Sequence, residues 1–159
     1  MKSLVIDASV VTRWLIQEEM SDDAIAVRDS FLDGVIDLHA PNLLPFEVLN
    51  SLWVSKLFTI LDLKEAASML ENYAIQLYPL SGDYAKHVIE IASEMSISVY
   101  DAAYVGLGDV LKSAVVTGDK KLTNKLGLPY KDRVYFLGAF DLKKYAEILN
   151  ESEDESIID

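Results

Sequence analysis

A chain of 159 residues, 51% of them apolar, is long enough to fold as one domain around a substantial core. It contains no cysteine, which excludes disulfides, thiolate zinc sites and a cysteine nucleophile. Its net charge of −12 argues against a plain nucleic-acid-binding protein, which normally carries a basic face. Five acids and no bases stand in residues 151–159, read as an acidic, disordered tail, which leaves −7 on a single expected domain of residues 1–150. No apolar run reaches the length of a bilayer-spanning helix, and no signal-peptide pattern follows Met1, so a soluble cytoplasmic protein is the expectation.

The first predicted element is a short buried strand at residues 3–6, followed by helix at 9–17. Ser21 with Asp22 and Asp23 starts a second helix, which runs to about Leu32 and stops at Gly34. Residues 35–39 are strand-like. Residues 42–58 read as a long apolar helix, with Pro45 tolerated in its first turn. Asp62 with Glu65 three residues later reads as a capping-box variant opening a helix that ends near Gln76. A short strand at 77–80, a helix from Ser81 to about Met95 and a helix at 99–112 follow. The chain then predicts a strand at 114–117, a short helix at 119–126, a strand at 133–137 and a final helix at 142–149. Strands alternating with helices imply a parallel sheet covered on both faces, an α/β fold.

Four acids occupy settings that present a carboxylate. Asp7 ends the run Leu4-Val5-Ile6, Glu47 follows Pro45-Phe46, Asp101 lies in Val99-Tyr-Asp-Ala-Ala-Tyr104, and Asp119 follows Val116-Thr-Gly118. Sites in parallel α/β sheets form at the carboxyl ends of the strands, where Asp7 and Asp119 fall. Two carboxylates about 4 Å apart repel by about 4 kcal/mol at an effective dielectric of about 20, so a gathered set stays ionised around a cation. All-oxygen ligands suit Mg²⁺ or Mn²⁺. Ser9 and Thr117 are placed to orient the aspartates, and Asn50 shares a helix face with Glu47. Ala102, Ala103 and Gly106 let the helix bearing Asp101 approach the sheet.

The fragments Val5-Ile-Asp-Ala-Ser9, Pro45-Phe-Glu-Val-Leu-Asn50, Val99-Tyr-Asp-Ala-Ala-Tyr-Val105 and Val116-Thr-Gly-Asp-Lys-Lys-Leu122 resemble the successive signatures of the PIN domain, in particular the VapC-type toxin ribonucleases of toxin–antitoxin pairs. The resemblance covers residues 1 to about 140. It implies a three-layer α/β/α fold with a parallel sheet in the order 3-2-1-4-5. It also implies a Mg²⁺- or Mn²⁺-dependent endoribonuclease that leaves 5′-phosphate and 3′-hydroxyl ends. Asp7, Glu47, Asp101 and Asp119 fall on the family's acidic quartet, the expected catalytic and metal ligands, and Ser9, Asn50 and Thr117 on its supporting positions. Gly118 departs from the alanine of many members, with little effect expected on metal binding. RNA as substrate, an antitoxin partner and a homodimer are implied as well.

Other readings remain open at this stage. Asp7, Asp101 and Asp119 are each compatible with an ordinary helix N-cap. Lys120, Lys121 and Arg13 are candidate phosphate contacts, or else a solvated helix face and a surface or salt-bridge arginine. The apolar helix at 42–58 is buried in the core or lies in a homodimer interface. His39 and His87 lie outside every motif, and Tyr100 and Tyr104 are expected to pack. A haloacid-dehalogenase-like phosphatase would need a second acid two residues after Asp7, where Ser9 stands. An RNA-processing nuclease outside any toxin pair, and a non-catalytic RNA- or protein-binding scaffold, are the remaining alternatives.

Overall fold

The computed structural model describes residues 2–145 and 147–148. Five short strands, β1 (Lys2–Ile6), β2 (Ile36–Pro41), β3 (Gln76–Tyr78), β4 (Ala114–Thr117) and β5 (Val134–Phe136), form one sheet in the order β3-β2-β1-β4-β5. Every neighbouring pair is parallel. Successive residues of a strand point to opposite faces, and Leu4, Val5 and Ile6 are all fully buried. Both faces of the central strand are therefore covered, the three-layer arrangement expected.

The helices are α1 (Ala8–Thr12), α2 (Ser21–Leu32), α3 (Leu44–Ser55), α4 (Ile60–Tyr73), α5 (Gly82–Met95), α6 (Val99–Leu111) and α7 (Lys120–Lys125). Helix α6 lies against β1, β2 and β4, with α5 packed on it, while α1 packs on α3 and β4. Sheet order reverses between β1 and β4, so the ends of these two strands open the crevice where α/β proteins build sites. Among the described residues no helix is long and apolar enough to cross a membrane.

Several boundaries differ from the sequence expectation for identifiable reasons. Helix α1 ends at Thr12 rather than Gln17. The Arg13 guanidinium takes the Ser9 carbonyl at 2.6 Å, the acceptor that the Arg13 amide would have used in a continuing α-helix. The Arg13 amide turns instead to Val10 O, and a tight turn follows. Helix α4 begins at Ile60 because Thr59, not Asp62, is its cap: Thr59 Oγ1 accepts from the Asp62 amide at 3.1 Å and Asp62 accepts from the Thr59 amide at 2.7 Å. The strand expected at 77–80 is Gln76–Tyr78.

Close approach of α6 to the sheet rests on Gly108, where a Cβ would overlap Val115 of β4 and lie 3.1 Å from Ser113 O. Gly106 instead admits α5, a Cβ there meeting Val88 Cγ2 at 3.0 Å. Ala102 and Ala103 are buried as expected. Helix α3 buries only Leu44, Val48 and Leu52 and leaves Phe46, Trp53 and Val54 exposed, so it is a core helix on one face and bare apolar surface on the other. Of the expected final helix, residues 142–145 and 147–148 are helical, and the rest lies outside the described residues, as does the segment 151–159.

Candidate active site

The β1–β4 ladder continues one residue past Ile6, the Asp7 amide donating to Val116 O at 3.0 Å. That bond brings the Asp7 carboxylate alongside the end of β4. There its Oδ2 accepts from the Thr117 hydroxyl at 2.6 Å and the Ser9 hydroxyl at 2.8 Å. Each hydroxyl is used twice: Ser9 Oγ accepts from the Gly118 amide at 2.8 Å, and Thr117 Oγ1 from the Asp119 amide at 3.0 Å. Thr117 is fully buried, which anchors the network in the core, while Ser9 and Asp7 are half-buried at its edge.

Helix α3 carries Glu47 in its first turn. Glu47 Oε1 accepts from the Tyr104 hydroxyl at 2.8 Å, and Tyr104 is 2% exposed. Tyr104 stands three residues after Asp101 on α6, so a single helix presents both a carboxylate and the hydroxyl that fixes another. Sequence reasoning assigned Tyr104 to packing, which it does, but missed this bond. The i, i+3 relation to Asp101 was the available signal.

The three N-cap alternatives separate cleanly. Asp7 occupies the N-cap position of α1 but makes no capping bond. Asp101 lies within α6, whose cap is Ser98, accepting from the Asp101 amide at 3.0 Å. Asp119 does cap α7, its Oδ1 accepting from the Lys121 and Leu122 amides at 2.9 and 3.2 Å, which leaves Oδ2 unbonded.

Electrostatics tie the acids together. Burial pushes the Asp7 carboxyl above the usual carboxylate range; the Thr117 and Ser9 hydroxyls and the Ala8 amide pull it back, and the charge of Asp101 raises it again. Burial likewise raises Glu47, opposed by Tyr104 and reinforced by the charges of Asp7 and Asp101. The Tyr104 hydroxyl is held firmly protonated by burial and by the charges of Asp7 and Glu47. Asp7, Glu47 and Asp101 thus share one electrostatic neighbourhood, and the Asp119 backbone amide, though not its carboxylate, is bonded to the Thr117 hydroxyl beside them.

The donor set is entirely oxygen and strongly negative, the chemistry of a hard divalent cation rather than of zinc or copper. Among the described residues no three such side chains stand so that they could already hold one ion together. Asn50 is exposed, one turn beyond Glu47, and with Ser9, Thr12 and Ile16 lines an open cavity of about 570 Å³ between α1 and α3. Lys120 and Lys121 are exposed, Lys120 reaching over the Phe136 ring at 5.9 Å. His39 is buried against the Tyr78 hydroxyl, and His87 bonds Asp109 at 2.7 Å; among the described residues neither hydrogen-bonds to Asp7, Glu47, Asp101 or Asp119.

Residues 4–126 match the PIN domain. Ribonuclease VapC3 of Pyrobaculum aerophilum is 30% identical over 127 residues, which span 77% of this chain and 93% of that relative. Ribonuclease VapC9 of Mycobacterium tuberculosis is 28% identical over 124 residues, 76% of this chain and 89% of the relative. Among solved structures, PAE2754 from Pyrobaculum aerophilum superposes with a TM-score of 0.58 at 20% identity, covering 92% of this chain and 96% of that one. The structure of FitAB bound to the IR36 DNA fragment gives 0.62 at 17% identity, covering 87% and 97%. At these identities the two structures establish a shared fold.

Proposed function

The chain belongs to the PIN domain family, and from that premise we propose that it is a Mg²⁺- or Mn²⁺-dependent endoribonuclease, the toxin of a toxin–antitoxin pair. The observation that supports this most is the shared electrostatic neighbourhood of Asp7, Glu47 and Asp101 at the reversal of strand order. Two of these carboxyls, Asp7 and Glu47, are pushed toward protonation by burial and by neighbouring carboxylate charge, a cost that a bound divalent cation removes.

Asp7, Asp101 and Asp119 would hold the ion, and Glu47 would complete the set or orient the attacking water. When bound, the ion supplies a water of lowered pKa and neutralises charge on the scissile phosphate. The chain's own residues do the positioning. Thr117 and Ser9 hold the Asp7 carboxylate through Oδ2. Tyr104 holds Glu47 through Oε1. Asp119 would offer the ion its Oδ2, since Oδ1 is taken by the Lys121 and Leu122 amides. Asn50, on the open side of α3, contacts the substrate strand or a ligand carboxylate.

Relatives named VapC ribonucleases support the toxin assignment. The partner is then a small antitoxin that blocks the acidic crevice, and the exposed Phe46, Trp53 and Val54 face of α3 fits a homodimer. Residues 1–150 form the nuclease domain, and a cytoplasmic location follows from an RNA substrate.

Incubating the purified protein with a panel of RNAs tests the proposal. Cleavage that needs Mg²⁺ or Mn²⁺, stops with chelator and is lost in Asp7→Asn is expected. Bound metal with every RNA left intact would instead favour the scaffold reading.

A further inference from the structure

The chain has three arginines. Arg28 and Arg133 each pair with an aspartate, at 2.8 Å to Asp29 and 3.6 Å to Asp109. Arg13 pairs with no carboxylate among the described residues, although the protein is strongly acidic and Glu18 and Glu19 are near in sequence. It is held by backbone instead, Nη1 donating to Ser9 O at 2.6 Å and Nε to Glu19 O at 2.9 Å. Neither bond neutralises its charge. Two carbonyls fix the orientation of a planar fork whose Nη2 makes no hydrogen bond among the described residues, an arrangement pre-organised for a phosphate.

The guanidinium lies over Gly118, the residue between Thr117 and Asp119. A Cβ there would overlap Arg13 Nη1 and stand 2.8 Å from Cζ and 3.2 Å from Nη2. The absence of a side chain at 118 is what seats this cation at the rim of the acidic crevice. The sequence expectation for Gly118 concerned metal binding alone; in the structure its consequence falls on Arg13.

Resting on the ribonuclease reading, we propose that Arg13 binds the backbone phosphate of the RNA strand adjacent to the one cleaved, and that Gly118 is the seat that positions it. Among the described residues Arg13 forms no ion pair with Asp7, Glu47, Asp101 or Asp119; its bonds go to the Ser9 and Glu19 carbonyls. A flanking phosphate, not the one over the acids, is within its province. The acidic protein thereby has an oriented guanidinium, in no ion pair among the described residues, where a polyanion must enter.

Steady-state cleavage of a fluorescent single-stranded RNA with Mg²⁺, at several salt concentrations, tests this. Arg13→Gln is expected to raise KM about tenfold with kcat within about twofold. Losing one phosphate contact also flattens the dependence of log KM on log salt by about 0.7. Arg13→Lys restores the salt dependence but not the full affinity, because a point charge replaces the fork. Gly118→Ala keeps the charge and is expected to raise KM severalfold by displacing the guanidinium. A wild-type protein that cleaves RNA beside an Arg13→Gln protein of equal KM and equal salt dependence overturns this proposal and leaves the nuclease reading intact. A wild-type protein that cleaves no RNA overturns both. Should Arg13→Gln lower Tm so far that it unfolds, Gly118→Ala decides: raised KM supports the proposal, and unchanged KM overturns it.

Discussion

Replacing Thr117 by valine keeps the shape of a fully buried side chain and deletes two hydrogen bonds at once. One is the 2.6 Å donation to Asp7, the other the 3.0 Å acceptance from the Asp119 amide. A hydrogen bond to a charged group contributes about 1.5–3 kcal/mol. The Asp119 amide lies at the half-buried rim, where water can replace the lost acceptor, so the loss falls near the lower part of that range. The expected destabilisation is about 2 kcal/mol at pH 8, a fall in Tm of roughly 4–8 °C for a domain of this size. It carries a pH signature as well. The Thr117 hydroxyl stabilises the carboxylate form of Asp7, whose folded pKa already lies above its ordinary value. Its contribution is therefore complete above that raised pKa and shrinks as pH falls through it and Asp7 protonates. Urea unfolding of both proteins at pH 8 and at a series of acidic pH values down to the limit of the folded state reads this out. A destabilisation below about 0.5 kcal/mol at pH 8, or one that does not shrink anywhere across the acidic series, would refute the network described.

The same shift gives Asp7→Asn two opposed effects: a higher Tm for the metal-free protein, since a carboxylate the fold disfavours is gone, and loss of RNA cleavage. A lower Tm would contradict the raised pKa. Asp7 and Glu47, both raised, take up protons on folding, so metal-free wild-type protein should gain stability as pH falls from neutral through their folded pKa values. His39 opposes this: burial lowers its pKa, so below about pH 6.5 the unfolded chain binds a proton that the fold refuses, and stability falls. His39→Gln should remove that opposing slope in Tm against pH, and an unchanged slope would assign it elsewhere. Gly108→Ala should destabilise by about 1–3 kcal/mol in urea unfolding, because the new methyl meets Val115 and the Ser113 carbonyl, whereas an unchanged midpoint would deny the close approach of α6 to β4.

The sheet was legible in the sequence because its strands are short apolar runs cut off by polar residues. Residues 114–117 were located to the residue, between Ser113 and Gly118. Asp7 and Asp119 were legible as candidates for the same reason, standing just past strand ends. Three features were hidden because they depend on contacts between distant segments. The shortness of α1 comes from Arg13 capturing the Ser9 carbonyl, which competes with the helix ladder that periodicity alone predicts. The bond between Tyr104 and Glu47 spans 57 positions and joins α6 to α3. The choice between Gly106 and Gly108 as the contact with the sheet depends on how α6 is rotated between α5 and β4. The Thr59 cap, by contrast, was local and readable, since a threonine three residues before Asp62 is the better capping box.

Paramagnetic broadening by Mn²⁺ of ¹⁵N-labelled, metal-free protein tests the central claim most directly. At substoichiometric Mn²⁺ the account predicts that the amides of Ala8, Ala102 and Gly118, adjacent in sequence to Asp7, Asp101 and Asp119, broaden first and together, and that Asp101→Asn abolishes the effect. Broadening that begins instead at the surface acids Asp22 and Asp23, or that persists unchanged in Asp101→Asn, would contradict a shared metal site at the reversal of strand order.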